Sequence, residues 1–169
     1  NRNHLNPIRK AEWPWDEVKE YADWVKPITY QHQAGGIFVN EMSAFYETIL
    51  RDASPSEWQP IIYQILDIKE GPFHELIATG MRPDTYVGGQ CQATVKALDG
   101  ELPVYMGVGV DAPRTSPQQA KCTPQIVYDS VTATYEAGGS GVIFSPDYSS
   151  MHLSKLEGAE RALKDIGLR

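Results

Sequence analysis

Two aspartates, Asp111 and Asp147, each close a short apolar run: residues 103–111 read PVYMGVGVD and residues 139–148 read GSGVIFSPDY. Two carboxyl groups roughly 5 to 9.5 Å apart can divide acid and base work. One protonates a leaving oxygen while the other activates water or attacks as a nucleophile, which is how a glycosidic bond is cleaved. That spacing requires neighbouring elements to carry the two side chains. Adjacent strand backbones lie ~4.8 Å apart, so aspartates at the same ends of paired strands fall in range. The competing reading stays open, because Asp-Ala-Pro and Pro-Asp-Tyr are also turn sequences in which aspartate bonds its own backbone.

The intervening sequence predicts the elements that would do the positioning. Residues 104–110 and 142–145 read as buried strands, and residues 124–137 as an amphipathic helix with Thr123 as its cap and Gly138 as its stop. This strand, helix, strand unit delivers both aspartates to the carboxyl ends of parallel strands, where α/β folds place their chemistry. Residues 151–166 then form a further helix ended by Gly167. The link into the second strand is short (138–141) and the link out of the first is long (111–123), as in barrels that keep stability on one face and binding on the other.

Upstream, residues 1–14 read as a polar arm broken by Pro7 and Pro14, and residues 16–25 as a surface helix with acids in its first turn. Residues 28–31 (ITYQ) have strand character, closed by a βα turn over 32–36 whose Gly35 and Gly36 allow a sharp exit. Residues 37–51 follow as a helix. Ser54-Pro55-Ser56-Glu57 reads as a capping box that makes 58–68 a helix, although its IIYQILDI core also has strand composition. Residues 69–84 read as a loop carrying Glu70, His74 and Glu75, and residues 85–98 as a helix weakened by Gly88 and Gly89. Tyr30, His32 and Gln33 fall at the first strand's exit, on the same rim as the aspartates. There His32 can carry a proton near neutrality and all three can bind hydroxyls. Arg114 in the long loop can clamp an anion or hydroxyl, and Tyr148 beside Asp147 can stack or hydrogen-bond.

Composition narrows the partners. At 169 residues with 41% hydrophobic side chains the chain is one globular α/β unit. A net charge of −7, with 15 scattered lysines and arginines, argues against nucleic acid. No apolar run approaches the roughly 18 residues of a membrane-spanning helix. Cys91 and Cys122 lack zinc spacing and read as buried thiols rather than a disulfide. The glycines of 138–141 precede a strand and so do not cradle phosphate; no metal or cofactor motif is present, and none is expected. The first residue is Asn1 rather than Met, which leaves cytoplasmic, periplasmic and secreted locations open.

The runs VYMGVGVDAPR and CTPQIVYDSVTATYEAGGSGVIFSPDYSSMHLSKLEGAERAL resemble the last two βα units of bacterial glycoside-hydrolase-like (β/α)8 barrels associated with carbohydrate utilisation, and WVKPITYQHQAGG resembles a preceding strand and its exit. The resemblance covers most of the chain and is strongest over 104–163. It implies the C-terminal part of a TIM-type barrel, completed by another segment or polypeptide, acting on a carbohydrate substrate through Asp111 and Asp147. Many barrel glycosidases use glutamates on the fourth and seventh strands, whereas the penultimate strand here ends in Asp111. The alternative fold is a small self-contained α/β sandwich. The alternative functions are a non-catalytic carbohydrate-binding or assembly subunit and a metal-dependent sugar lyase or isomerase.

Overall fold

The computed structural model describes residues 14–112, 118–145 and 148–168. The expected N-terminal arm therefore lies almost wholly outside the described residues. Three parallel strands, β1 (Ile28–Thr29), β2 (Tyr105–Gly109) and β3 (Gly141–Ser145), form one open sheet in chain order. The mixed α/β class and the strand, helix, strand unit at its end are as the sequence predicts. Around the sheet run α1 (Trp15–Tyr21), α2 (Gln31–Tyr46), α3 (Pro55–Leu66), α4 (Leu76–Thr79), α5 (Gly88–Ala97), α6 (Pro124–Glu136) and α7 (Leu153–Asp165).

Local chemistry accounts for the elements that match. Ser54 and Glu57 complete the capping box of α3, resolving residues 58–68 in favour of helix. Thr123 Oγ1 accepts the Ile126 N–H at 3.1 Å and opens α6, with Pro124 at its first position.

Three expectations are corrected by tertiary contacts. Helix α1 ends at Tyr21 rather than 25, because Val25 leaves it to pair with Val104: its N–H donates to Pro103 O and its carbonyl accepts from Tyr105 N. The next residue, Lys26, precedes a proline and is thereby biased to extended backbone. No βα turn separates β1 from α2, and Gly35 and Gly36 lie inside the helix. Gly35 serves close approach instead, since a Cβ there would stand 1.9 Å from Leu76 O. Residues 69–84 are not simply a loop. They hold a 3₁₀ turn at Phe73–Glu75 and α4, whose Leu76 is buried in the core, and a π turn at Pro83–Val87 leads into α5.

The two faces of the sheet differ. Met106 belongs to a core of Ala34, Phe38, Met42, Trp58 and Leu66, while Val142 and Phe144 pack against a second cluster built on α6 and α7. Met106 pairs with Val142 and Val108 with Phe144, so these side chains share one face. In register on the other face stand Ile28, Gly107 and Ile143. Ile28 is 46% exposed, and the chain at residues 26–28 lies against Gly107. No described helix is long and apolar enough to cross a membrane.

Candidate functional site

The exit of β1 is built to hold polar side chains against β2. Tyr30 caps α2 with its carbonyl, which accepts the N–H groups of Gln33 and Ala34 at 2.8 and 2.9 Å. Helix α2 therefore begins at once, turning Gln31 and His32 inward, where each is 1% exposed. The absence of a side chain at Gly109 makes room: a Cβ there would lie 2.7 Å from His32 Cε1 and 2.9 Å from Tyr30 Cβ. Among the described residues no hydrogen bond of ordinary geometry reaches either ring nitrogen of His32 or either side-chain polar atom of Gln31, although the Ala112 backbone acts on the His32 ring. A buried unpaired polar group costs about 1–3 kcal/mol, and four such atoms, two of Gln31 and two of His32, cluster at this strand exit. Burial pushes the His32 imidazole below its usual value, and the Ala112 backbone and the Asp111 charge offset this only in part.

At the exit of β2, Asp111 takes a left-handed conformation with φ of 53°. Its Oδ2 accepts the backbone N–H of His152 at 3.0 Å and lies 2.9 Å from His152 Nδ1. Burial acts to raise its pKa, but the His152 N–H, the His152 ring and the Lys155 charge together bring it below the usual carboxylate range. Asp111 is thus an ionised carboxylate, with its Oδ2 on the residue just before α7. Cys122 is buried close by, its thiol donating weakly to Gly109 O at 3.7 Å, and burial pushes its pKa up. Cys91 is buried as well, and both thiols are free.

The structure thus brings Tyr30 and His32 onto the end of β2, one strand residue from Val110 and two from Asp111, as expected. Gln33 lies half-buried one position further along α2. Tyr148 is 86% exposed. Asp147 and Arg114 lie outside the described residues.

Three participants escape the sequence. His152 is 41 positions from Asp111 and carries no motif. Gln31 looks like the last residue of a strand but is the first of a helix. Lys26 stretches across Gly107, its Cε 2.9 Å from where a Cβ would sit there, and donates from Nζ to Ser145 Oγ at 2.9 Å. The only available signal was parity: Lys26 is two residues before Ile28, and so on the same face.

Glu70, in the segment between α3 and α5, is engaged elsewhere. Its carboxylate accepts the Arg82 N–H at 3.0 Å and the Thr85 hydroxyl at 2.8 Å, and burial raises its pKa. Glu70 instead lines a cavity of about 1010 Å³ with Ile68, Tyr86, Gly89, Val95 and Lys96. None of Tyr30, His32, Asp111 or His152 borders it. The cavity and the cluster of unpaired buried atoms therefore lie in different places. Among the described residues no three His, Cys, Asp or Glu side chains are arranged to hold a metal ion. Compared with family models, curated proteins and solved structures, the chain matches none of them.

Proposed function

We propose that the chain is a carbohydrate-active hydrolase whose chemistry lies at the carboxyl edge of the sheet. One observation carries this reading: a carboxylate held ionised at the exit of the central strand, beside buried polar groups with no hydrogen bond of ordinary geometry among the described residues. An ionised Asp111 suits the base or nucleophile role and not that of proton donor. With Asp111 charged, His152 donates from Nδ1, which orients the ring and leaves Nε2 to carry protons. Asp147, two positions past β3, is the second carboxylate of the scheme on its sequence place alone. The finer fold reading, the closing units of a (β/α)8 barrel completed by another segment or polypeptide, is supported by parallel strands in chain order with open edges at β1 and β3.

Turnover of a panel of oligosaccharides and aryl glycosides by the parent protein and by Asp111→Asn and Asp147→Asn tests the scheme. It predicts a loss of at least a hundredfold in kcat for each variant with sugar binding retained. Full activity in both variants would rule out the pair. A second reading, a non-catalytic carbohydrate-binding subunit, is favoured by the contacts of the Asp111 carboxylate to His152, which tie β2 to the start of α7. It predicts binding without turnover in the parent protein. Turnover abolished by a chelator would favour the metal-dependent lyase or isomerase instead.

A further inference from the structure

The cavity of about 1010 Å³ that Glu70 lines is a groove between the end of α3, the π turn at Pro83–Val87 with the α5 that follows it, and the end of α6. Its volume is that of a site for a small organic molecule. Ile68, Tyr86 and Val95 give it an apolar side, and a Cβ added at Gly89 would meet nothing within 4 Å among the described residues, so the groove is open there. Six charged side chains of the described residues line it: Asp67, Lys69, Glu70, Asp84, Lys96 and Glu136. They differ in how firmly each charge is held. Asp67, Lys69, Lys96 and Glu136 are exposed, and Asp84 is paired with the Arg82 guanidinium. Glu70 is half-buried and fixed: the Arg82 N–H donates to its two carboxylate oxygens at 3.1 and 3.0 Å, and the Thr85 hydroxyl donates at 2.8 Å. The π turn supplies both donors, with Arg82 capping it and Thr85 inside it, and such turns recur at functional sites.

The charge that the groove holds in a set position is therefore negative. Lysines on long exposed stems can turn out into water, whereas the Glu70 carboxylate cannot leave its donors without losing their bonds. A carboxylate has about four acceptor positions, so Glu70 can take a further donor while keeping those it has. Burial and then the Glu70 charge push the Tyr86 phenol up, which makes ring and carboxylate neighbours in the wall. An aromatic ring beside a fixed carboxylate suits an ammonium group, and the apolar side suits a hydrocarbon stem attached to it. A ligand bearing a carboxylate would meet Glu70 as a like charge. We propose that this groove binds a free alkylamine in its ammonium form, with the charged head at Glu70 and the hydrocarbon stem along Ile68, Tyr86 and Val95. This second site is independent of the carbohydrate reading.

Calorimetric titration of the intact protein with hexylamine, hexanol and hexanoate tests it. Hexylamine is expected to bind at least about tenfold more tightly than either of the other two. Burial raises the Glu70 pKa, and only the ionised carboxylate attracts an ammonium, so hexylamine affinity should rise with pH through that value and level off above it. Glu70→Gln keeps an acceptor for Arg82 and Thr85 but removes the charge. It should abolish the preference over hexanol and the pH dependence while leaving hexanol affinity unchanged. Gly89→Leu, which fills the groove, should weaken hexylamine and hexanol alike, and Asp111→Asn should change neither. A preference absent from the parent protein, or retained in Glu70→Gln, overturns the site. Tighter binding of Nα-acetyl-lysine amide than of hexylamine overturns the free-amine assignment and gives the groove to a lysine side chain of a polypeptide. Should Glu70→Gln not fold, the parent pH profile and Gly89→Leu decide: a flat profile, or undiminished binding in Gly89→Leu, counts against the site.

Discussion

The two ends of the sheet satisfy their polar groups in opposite ways. At the amino end Lys19 is surrounded by three carboxylates, Val25 donates to Pro103 O and accepts from Tyr105 N, and Ser140 N donates to Val104 O at 2.8 Å. At the carboxyl end, among the described residues, Gln31 and His32 are buried without a side-chain hydrogen bond of ordinary geometry, Lys26 donates to the Ser145 hydroxyl, and Asp111 holds a left-handed backbone. Both ends belong to the same three strands, so strand propensity cannot explain the contrast. One end is closed by paired groups, and at the other the described residues leave several polar atoms unpaired, at about 1–3 kcal/mol for each.

The contrast can be attacked first where the carboxyl end is tightest. Gly109→Val should destabilise the fold by about 3 kcal/mol in denaturant titration, because its side chain would overlap His32 and Tyr30. A neutral result would mean that those side chains are not held against β2. Asp111→Asn should cost about 1–2 kcal/mol at neutral pH through the weakened bonds to His152. Its pH signature is specific. The folded-state pKa of Asp111 is depressed, so its contribution is complete above the ordinary aspartate range near pH ~4 and is lost as pH falls through the lower folded value. The parent and Asn proteins should therefore converge in stability toward acid, and parallel curves would contradict the assignment.

His32 gives a weaker effect in another window. Burial lowers its folded pKa, so below its unfolded value near ~6.5 the unfolded chain binds more protons and stability declines as pH falls. His32→Gln should flatten unfolding free energy between pH ~6.5 and the lower folded value. An unchanged slope would place an ordinary, solvated histidine there. The smallest effect compares the lysines by sign. Lys19→Met should lower the thermal midpoint, more so at low salt, by leaving three carboxylates facing one another, whereas Lys26→Met should leave it unchanged or raise it. Equal losses in both would erase the difference between the two ends.

What the sequence made legible was what local chemistry decides. The capping box at Ser54 and Glu57, the cap at Thr123 and the two apolar runs of β2 and β3 are each written within a few residues. So was the meeting of Tyr30 and His32 with the end of β2, because strand exits on one edge converge. The remainder depended on partners distant in the chain. Gly35 and Gly36 look like turn glycines, and only the approach of Leu76 shows why Gly35 belongs in a helix. Val25 fits the periodicity of α1 until Val104 offers a strand to pair with. His152 and Lys26 carry no motif, and their roles exist only once α7 meets β2 and the Lys26 stem crosses Gly107 to reach β3.

The central claim is one of location, and amide chemical-shift mapping of the protein during titration with the oligosaccharide panel tests it most directly. The account predicts that the shifted resonances cluster at Tyr30 to Gln33, Asp111, Ser145 and His152. Shifts concentrated instead along the helical groove at Glu70, Gly89 and Lys96, with the sheet edge unmoved, would contradict it.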